Sequence, residues 1–250
     1  MIGIFDSGSG GLSVLKALRG IMPSADVVYF GDIKHAPYGL KTQEELSLLT
    51  TAAIEYLEHE GAHHIVSACN SVAASLVISL SDRLAFASDM IEMVGPTVAS
   101  FRETKKKLAL CATPATINSG IYQSAFELIG KDVQCIAIPD LAFAIESGAS
   151  DAELQQIVQA AFADREGFDT LVLACTHYPL VRSIFEQALP HVEIFDPAMV
   201  VAERARDAFP EEHTGAGTTR FIISKDSPRF RAFVQMFFGD TPHTIEVREG

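Results

Sequence analysis

Two cysteines occur in closely similar surroundings, far apart along the chain. Cys69 ends the apolar run IVSAC and is followed by an asparagine and a serine, and Cys175 ends the apolar run LVLAC and is followed by a threonine and a histidine. A free cysteine often serves only as a small buried hydrophobe, so each residue alone is compatible with a packing role. The similar sequence surroundings of the two cysteines favour a catalytic role over a packing role. Two thiols on opposite faces of one carbon suit removal of a proton from one face and delivery of a proton to the other, which is a racemisation.

Asp6 and His177 are the predicted acid–base partners of the two thiols, because each follows the end of a predicted strand. A carboxylate near one thiol and an imidazole near the other would tune proton transfer in opposite directions. Each has an ordinary alternative. Asp6 also fits the N-cap of a helix starting in LSVLKAL, and His177 also fits a hydrogen-bonded histidine in a turn. The other cysteines, Cys111 and Cys135, lack the following polar pair and are interpreted as structural.

Three loops are candidates for holding a small ligand. The loop DSGSGG at 6–11 matches neither GxGxxG nor a P-loop nor GxSxG, which leaves a tight turn whose N–H groups meet a carboxylate. The TPAT loop offers the hydroxyls of Thr113 and Thr116 in the same way, although such hydroxyls are often only helix caps. The turn APYG at 36–39 is also ordinary as a turn, but at the edge of a sheet its tyrosine would close over a ligand.

Short β-rich runs alternate with helix-length segments, which predicts an α/β protein with mainly parallel sheets. The predicted strands cover 2–5, 27–30, 64–68, 90–94, 107–112, 133–138, 170–174, 192–195, 221–224 and 244–247. The predicted helices include 42–60, 121–129, 151–164 and 199–209. The strand–loop pairs IGIFDSGSGG and LALCATPATINSG, each followed later by an Ala-Cys strand end, indicate two similar lobes facing each other, with a boundary near residues 95 and 96. Ligands of such sheets lie at the carboxyl ends of the strands, so the four stretches should meet in one cleft.

Composition excludes several classes of protein. The net charge of -13 argues against nucleic acid and anionic membranes as partners, and it means that an anionic substrate needs local donors. The four cysteines lack CxxC spacing, so neither a zinc site nor a disulfide scaffold is predicted. No apolar run approaches the ~18 residues of a membrane span, and an aspartate at position 6 argues against a secretory signal. We therefore expect a cytoplasmic enzyme.

Several motifs in order resemble one known family. They are FDSGSGGLSVL at 5–15, YFGD followed by PYG at 29–39, ACN at 68–70, ATPATINSGIY at 112–122, ACTHYPL at 174–180 and RFIISKDSPRFRAFVQMFFG at 220–239. Together they resemble the glutamate racemases of the cofactor-independent aspartate/glutamate racemase family. The resemblance covers nearly the whole chain.

The resemblance implies two α/β lobes with the active site between them, the first formed by 1–95 plus 208–250 and the second by 96–207. It implies Cys69 and Cys175 as acid/base thiols, assisted by Asp6 and His177, with no cofactor and no metal. Glu146 matches an acidic position of the family near the site. The residues implied to bind the substrate glutamate are Ser7, Pro37, Tyr38, Gly39, Asn70, Ser71, Thr113, Thr116 and Thr176. The resemblance also implies a homodimer that supplies D-glutamate for the bacterial cell wall.

The sequence departs from the family pattern at a few positions, and these leave alternatives open. Ser71 stands in place of a threonine, Ala112 in place of a glycine, and Lys34-His35 in place of an alanine–arginine pair. These departures keep open a racemase for aspartate or another amino acid. A decarboxylase is disfavoured because both thiols are present. A protein of another class, one that binds an acidic amino acid without turning it over, would have no need for paired thiols.

Overall fold

Two parallel β-sheets flanked by helices form the molecule, in a computed structural model that describes residues 1–75 and 89–248. The first sheet has six strands and the second has four. The strands are β1 (Ile2–Asp6), β2 (Val27–Gly31), β3 (His64–Ser67), β4 (Asp89–Glu92), β5 (Leu108–Ala112), β6 (Val133–Ala137), β7 (Thr170–Leu173), β8 (Glu193–Phe195), β9 (Thr219–Ile223) and β10 (His243–Val247). Every pairing between them is parallel.

The two sheets repeat one strand order. The first runs β10-β9-β2-β1-β3-β4 and the second runs β6-β5-β7-β8, so that β2-β1-β3-β4 and β6-β5-β7-β8 correspond strand for strand. In each sheet the chain starts in the centre, adds a strand on one side and then crosses to the other. The two similar strand–loop stretches of the sequence, IGIFDSGSGG and LALCATPATINSG, therefore lie at corresponding positions in the two sheets. Strands β9 and β10 come from the end of the chain and extend the first sheet beyond β2.

The helices connect the strands and cover the sheets. Their ranges are α1 (Leu12–Ile21), α2 (Gln43–His59), α3 (Val94–Ala99), α4 (Pro114–Asn118), α5 (Ile121–Leu128), α6 (Leu141–Ser147), α7 (Asp151–Phe162), α8 (Arg182–Ala188), α9 (Ala198–Ala208) and α10 (Pro228–Phe238). Short 3₁₀ turns at Ile33–His35, Tyr38–Leu40, Asn70–Val72, Tyr178–Val181 and Pro210–Thr214 lie between them. A full capping box of Thr42 and Glu45 fixes the start of α2.

The predicted fold class is confirmed, and each predicted strand and helix has an observed counterpart. Central strands are the clearest, because β1 and β5 are buried along their whole length and their sequences are apolar apart from Asp6 at the end of β1. The predicted division into lobes at residues 95 and 208 stays a prediction. Both positions fall inside helices, α3 and α9, and α9 packs against α1. Within the described residues, no helix has the length and apolar character needed to cross a membrane.

Candidate active site

Four loops meet because of where the strands reverse their order. In the first sheet the chain switches sides between β1 and β3, and in the second between β5 and β7. A crevice forms at such a switch point, at the carboxyl ends of the strands. The loop after β1 carries DSGSGG, Cys69 follows β3, Thr113 follows β5 and Cys175 follows β7. The topology thus brings all four predicted stretches to one place.

A cavity of about 280 Å³ lies between these loops, and both cysteines line it. Of the residues predicted from the sequence, those that line the cavity are Ser7, Pro37, Tyr38, Gly39, Cys69, Asn70, Ser71, Thr113, Cys175, Thr176 and His177. Small-molecule sites start at roughly 300 Å³, so the space fits a ligand of amino-acid size. The two thiols come from different sheets and face the same cavity.

Cys69 is buried, bonds a serine hydroxyl and lies near the carboxylate of Asp6. Its side chain is 5% exposed, and its Sγ donates to Ser7 Oγ at 3.7 Å. Burial, the charge of Asp6 and the second thiol together raise the pKa of Cys69 to about 12, and the bond to Ser7 only partly offsets this. At neutral pH Cys69 is therefore a protonated thiol, ready to donate a proton.

Cys175 faces a histidine that is itself paired with a carboxylate. Its Sγ lies 4.0 Å from His177 Nδ1, and His177 Nε2 lies 2.7 Å from Glu146 Oε2. Burial disfavours the imidazolium, but the hydrogen bonds to Cys175 and Glu146 outweigh burial and hold the pKa of His177 well above its usual value. A protonated imidazole at this distance stabilises negative charge on the sulfur.

Glu146, at the end of α6, completes this pair. Burial acts to raise the pKa of Glu146, but the hydrogen bond and charge of His177, together with two bonds from Ser9, hold it below its ordinary range. Ser9 Oγ donates to Glu146 Oε2 at 2.5 Å and Ser9 N donates at 3.2 Å. Since Ser9 lies after β1 and Glu146 in α6, this carboxylate also joins the loops of the two sheets.

Asp6 is fully buried and lies behind the cavity wall. Its carboxylate accepts hydrogen bonds from Gly8 N at 2.9 Å and from Thr176 Oγ1 at 3.0 Å. The alternative of Asp6 as a helix cap is wrong, because α1 begins after Gly11 with no side-chain cap. Asp6 acts on Cys69 through its charge and holds the loop of Cys175 through Thr176. The N–H groups of Gly8 and Ser9 are taken by carboxylates of the protein, so they are not free for a ligand.

A row of three hydroxyls lies beside the cavity, and two of them, on Ser71 and Thr113, line it. Ser71 Oγ lies 3.0 Å from Thr113 Oγ1, which lies 3.2 Å from Thr116 Oγ1. Thr116 is 1% exposed and does not line the cavity, but its hydroxyl lies next to that of Thr113, which does. The row links the loop after β3 to the loop after β5.

Two glycines allow the facing loops to touch. A Cβ on Gly39 would lie 2.6 Å from Thr113 Cβ, and a Cβ on Gly10 would lie 2.5 Å from Thr176 Oγ1. No side chain fits at such distances, so both positions require glycine for close approach of the backbone. The lobes are in contact on both sides of the cavity.

Comparison with known proteins shows the family of the chain. Residues 12–205 match the family model described as Asp/Glu/Hydantoin racemase. The chain belongs to this racemase family. A glutamate racemase of Desulforudis audaxviator is 34% identical over 98% of this chain and 96% of its own. The prediction that the chain is an enzyme of the racemase class, resembling glutamate racemases, is confirmed.

Solved racemase structures share the fold over nearly the whole chain. A glutamate racemase from Bacillus anthracis superposes with a TM-score of 0.88 at 28% identity, covering 99% of this chain and 96% of that one. A glutamate racemase from Francisella tularensis, solved in complex with D-glutamate, gives 0.85 at 28% identity, covering 98% and 96%. The predicted two-lobed architecture with parallel sheets is therefore confirmed.

The structure also places at this cavity three residues that the sequence motifs do not predict to be functional. Ser9 belongs to none of the phosphate-binding or nucleophile motifs, Tyr122 is the last residue of ATPATINSGIY, and Lys225 lies within the C-terminal motif. Tyr122 bonds a cavity residue and Lys225 lines the cavity. No sequence signal marks them, because their contacts join distant segments. Within the described residues, no cluster of three or more histidine, cysteine or acidic side chains is arranged to hold a metal.

Proposed function

We propose that the protein interconverts L- and D-glutamate by proton transfer at Cα between two thiols, with no cofactor. The observation that carries the proposal is that Cys69 and Cys175, from different sheets, line one small cavity. A racemase that uses two bases needs one acid–base group on each face of the stereocentre. The glutamate racemases among the relatives support glutamate as the substrate.

The proton transfers balance without any further reagent. The thiolate of Cys175 takes the Cα proton, and the bonding electron pair stays on the substrate, delocalised into its α-carboxylate. The thiol of Cys69 then gives its proton to the opposite face of Cα and becomes the thiolate. The product has inverted configuration, and the two sulfurs have exchanged protonation states. The reverse reaction runs from this state.

Two unpaired polar atoms at the cavity suit an amino acid zwitterion. Asn70 Nδ2 is a donor without a partner among the described residues, and Glu146 Oε1 is an acceptor without one. Both residues line the cavity. A carboxylate of the substrate would satisfy the first and its ammonium the second, since buried polar groups are unfavourable when unpaired. Ser7, Tyr38, Ser71, Thr113 and Thr176 would hold the remaining oxygens.

Developing negative charge must be stabilised for useful turnover. A rate of about 10 per second corresponds to a barrier of roughly 16 kcal/mol, while the Cα proton is a very weak acid. Because the hydroxyl row and Asn70 are already in place around a small cavity, they can stabilise the developing negative charge with little reorganisation.

We further propose that the enzyme works in the cytoplasm as a homodimer and supplies D-glutamate for peptidoglycan.

Isotope exchange tests the proposal directly. The protein is incubated with L-glutamate in deuterium oxide without added cofactor, and loss of the Cα proton is followed by NMR alongside optical rotation. We expect deuterium at Cα and decay of the rotation toward zero. A parallel incubation with L-aspartate tests altered specificity. An enzyme that leaves both amino acids unchanged contradicts the proposal, and exchange with aspartate alone contradicts the choice of glutamate.

A further inference from the structure

Tyr122 forms a hydrogen bond that crosses between the two sheets. It lies at the start of α5, after β5 of the second sheet, and is fully buried. Its hydroxyl donates to Asn70 Oδ1 at 2.6 Å. Asn70 begins the 3₁₀ turn that follows Cys69 and β3 of the first sheet. The bond therefore ties a core side chain of one lobe to a cavity residue of the other.

This bond decides what Asn70 presents to the cavity. With Oδ1 occupied by the tyrosine hydroxyl, the amide turns its Nδ2 group away from Tyr122. That group is a buried donor with no partner in the described part of the chain, on a side chain that is 3% exposed and lines the cavity. Without the bond, the amide could turn over and present its oxygen, which repels a carboxylate.

We propose that Tyr122 is a positioning residue, which fixes the Asn70 amide so that Nδ2 binds a carboxylate of the substrate. The inference rests on the proposed function and adds a residue to it. Since the two partners belong to different sheets, separation of the lobes breaks the bond. The position of the donor therefore depends on how the two sheets are held together.

A packing role alone would be the simpler account of Tyr122. Its ring belongs to a buried cluster with Phe101, Leu110 and Phe126. Packing is preserved when tyrosine is replaced by phenylalanine, whereas the hydroxyl bond is lost. Tyr122→Phe thus separates the two roles. A second substitution, Asn70→Ala, removes the group on which the positioning acts.

The test is a double-mutant cycle measured by Cα exchange of glutamate. We expect Tyr122→Phe to lower kcat/KM about tenfold, as for loss of one hydrogen bond, with the change mainly in KM because ground-state binding is weakened. In the Asn70→Ala background, the same substitution should change kcat/KM less than about twofold, since the interaction is already absent. Similar losses in both backgrounds, or no loss in the first, would overturn the proposal.

Tyr178→Phe is the matched control. Tyr178 is also fully buried, and its hydroxyl donates to the backbone carbonyl of Ile138 at 3.1 Å. This variant should lower the melting temperature about as much as Tyr122→Phe while leaving KM unchanged; a KM rise as large as that of Tyr122→Phe contradicts a specific role for Tyr122. If the unsubstituted enzyme exchanges neither glutamate nor aspartate, the proposed function has failed. If it exchanges glutamate and the cycle is additive, only the positioning role has failed.

Discussion

The two thiols occupy equivalent places in a repeated fold but opposite electrostatic surroundings. Cys69 and Cys175 both follow the third strand of the shared order, across the switch point of their sheets. Beside Cys69 lies the carboxylate of Asp6, which raises the pKa of the thiol in addition to burial. Beside Cys175 lies His177, whose pKa is held above its usual value, despite burial, by the hydrogen bonds to Cys175 and Glu146. The repeat places the two thiols symmetrically, and residues that differ between the two halves put a carboxylate near one thiol and an imidazole near the other.

Loss of either thiol has the largest expected effect. We expect Cys69→Ser and Cys175→Ser each to lower racemisation by about 10³-fold or more, because a positioned acid or base contributes up to about 10⁴-fold. Each variant keeps one thiol on one face, so it should still exchange the Cα proton of one enantiomer. NMR in deuterium oxide with L- and D-glutamate separately gives this measurement.

If both thiol variants exchange the same enantiomer, the two sulfurs act on one face of Cα, and the proposal that they act on opposite faces is contradicted. Cys135→Ser is the matched control. Cys135 is only half-buried and does not line the cavity. The same chemical change there should leave racemisation unaltered.

Removing the carboxylate that pairs with His177 should make the electrostatic surroundings of Cys69 and Cys175 more alike. We expect Glu146→Gln to lower kcat/KM roughly 30-fold, since a hydrogen bond between charged groups is worth about 2 kcal/mol. The pKa of His177 falls without its anionic partner, so the imidazolium is lost at lower pH. The alkaline limb of the kcat/KM profile against pH should move to lower pH. An unmoved limb would show that His177 does not set it.

Ser9→Ala is the control for the charge of Glu146. It removes the hydroxyl that donates to Glu146 Oε2 but keeps the carboxylate beside His177. We expect a loss of only a few-fold and an alkaline limb that moves much less, because one neutral hydrogen bond is worth about 1 kcal/mol.

The same pair should leave a signature in stability against pH. Because the pKa of Glu146 is lower in the folded protein than its usual 4.5, this residue stabilises the fold at pH values above 4.5. The stabilisation is lost as the pH falls through the folded-state pKa. The raised pKa of His177 stabilises the fold fully below 6.5, and this is lost as pH rises through the folded-state pKa. Urea unfolding of the unsubstituted protein and of Glu146→Gln should differ most between pH 4.5 and 6.5. We expect the pH-dependent part to be about 1 kcal/mol, and a difference that does not vary with pH would refute the pairing.

Two neighbouring charged residues at the rim of the cavity, Lys225 and Asp226, also differ in their surroundings. Substitution of this lysine has the smallest expected effect on activity. Lys225, after β9, is exposed and lines the cavity, whereas Asp226 beside it is paired with Arg231 at 2.8 Å. On a chain of net charge -13, this lysine offers an acidic substrate a local attraction. We expect Lys225→Gln to raise KM about threefold at low salt and not at high salt, because exposed charges are screened.

Lys105→Gln makes the same change of charge at the opposite end of the second sheet, ahead of β5. It should leave KM unchanged at both salt concentrations. Equal effects of the two lysine variants would mean that only the overall charge matters, and the contrast at the rim would then disappear.

The amino-acid sequence by itself was enough to predict the strands and helices and to single out Cys69 and Cys175. Buried parallel strands such as β1 and β5 are apolar along their length except for Asp6 at the end of β1, and the polar residues that follow each strand are next to it in the sequence. Local patterns of this kind predicted the strands, the two-lobed α/β class and most of the cavity wall, from Ser7 to His177.

Only the tertiary structure decided which distant groups meet. Ser9 and Glu146 are 137 positions apart, and Tyr122 and Asn70 are 52 apart. Their bonds depend on how two sheets face each other, and no periodicity or spacing along the chain encodes that arrangement. His177 is only two positions from Cys175, but the carboxylate that pairs with it comes from α6, and Asp6 acts on Cys69 from the end of β1. The charges beside the two thiols therefore depend on how distant segments are brought together.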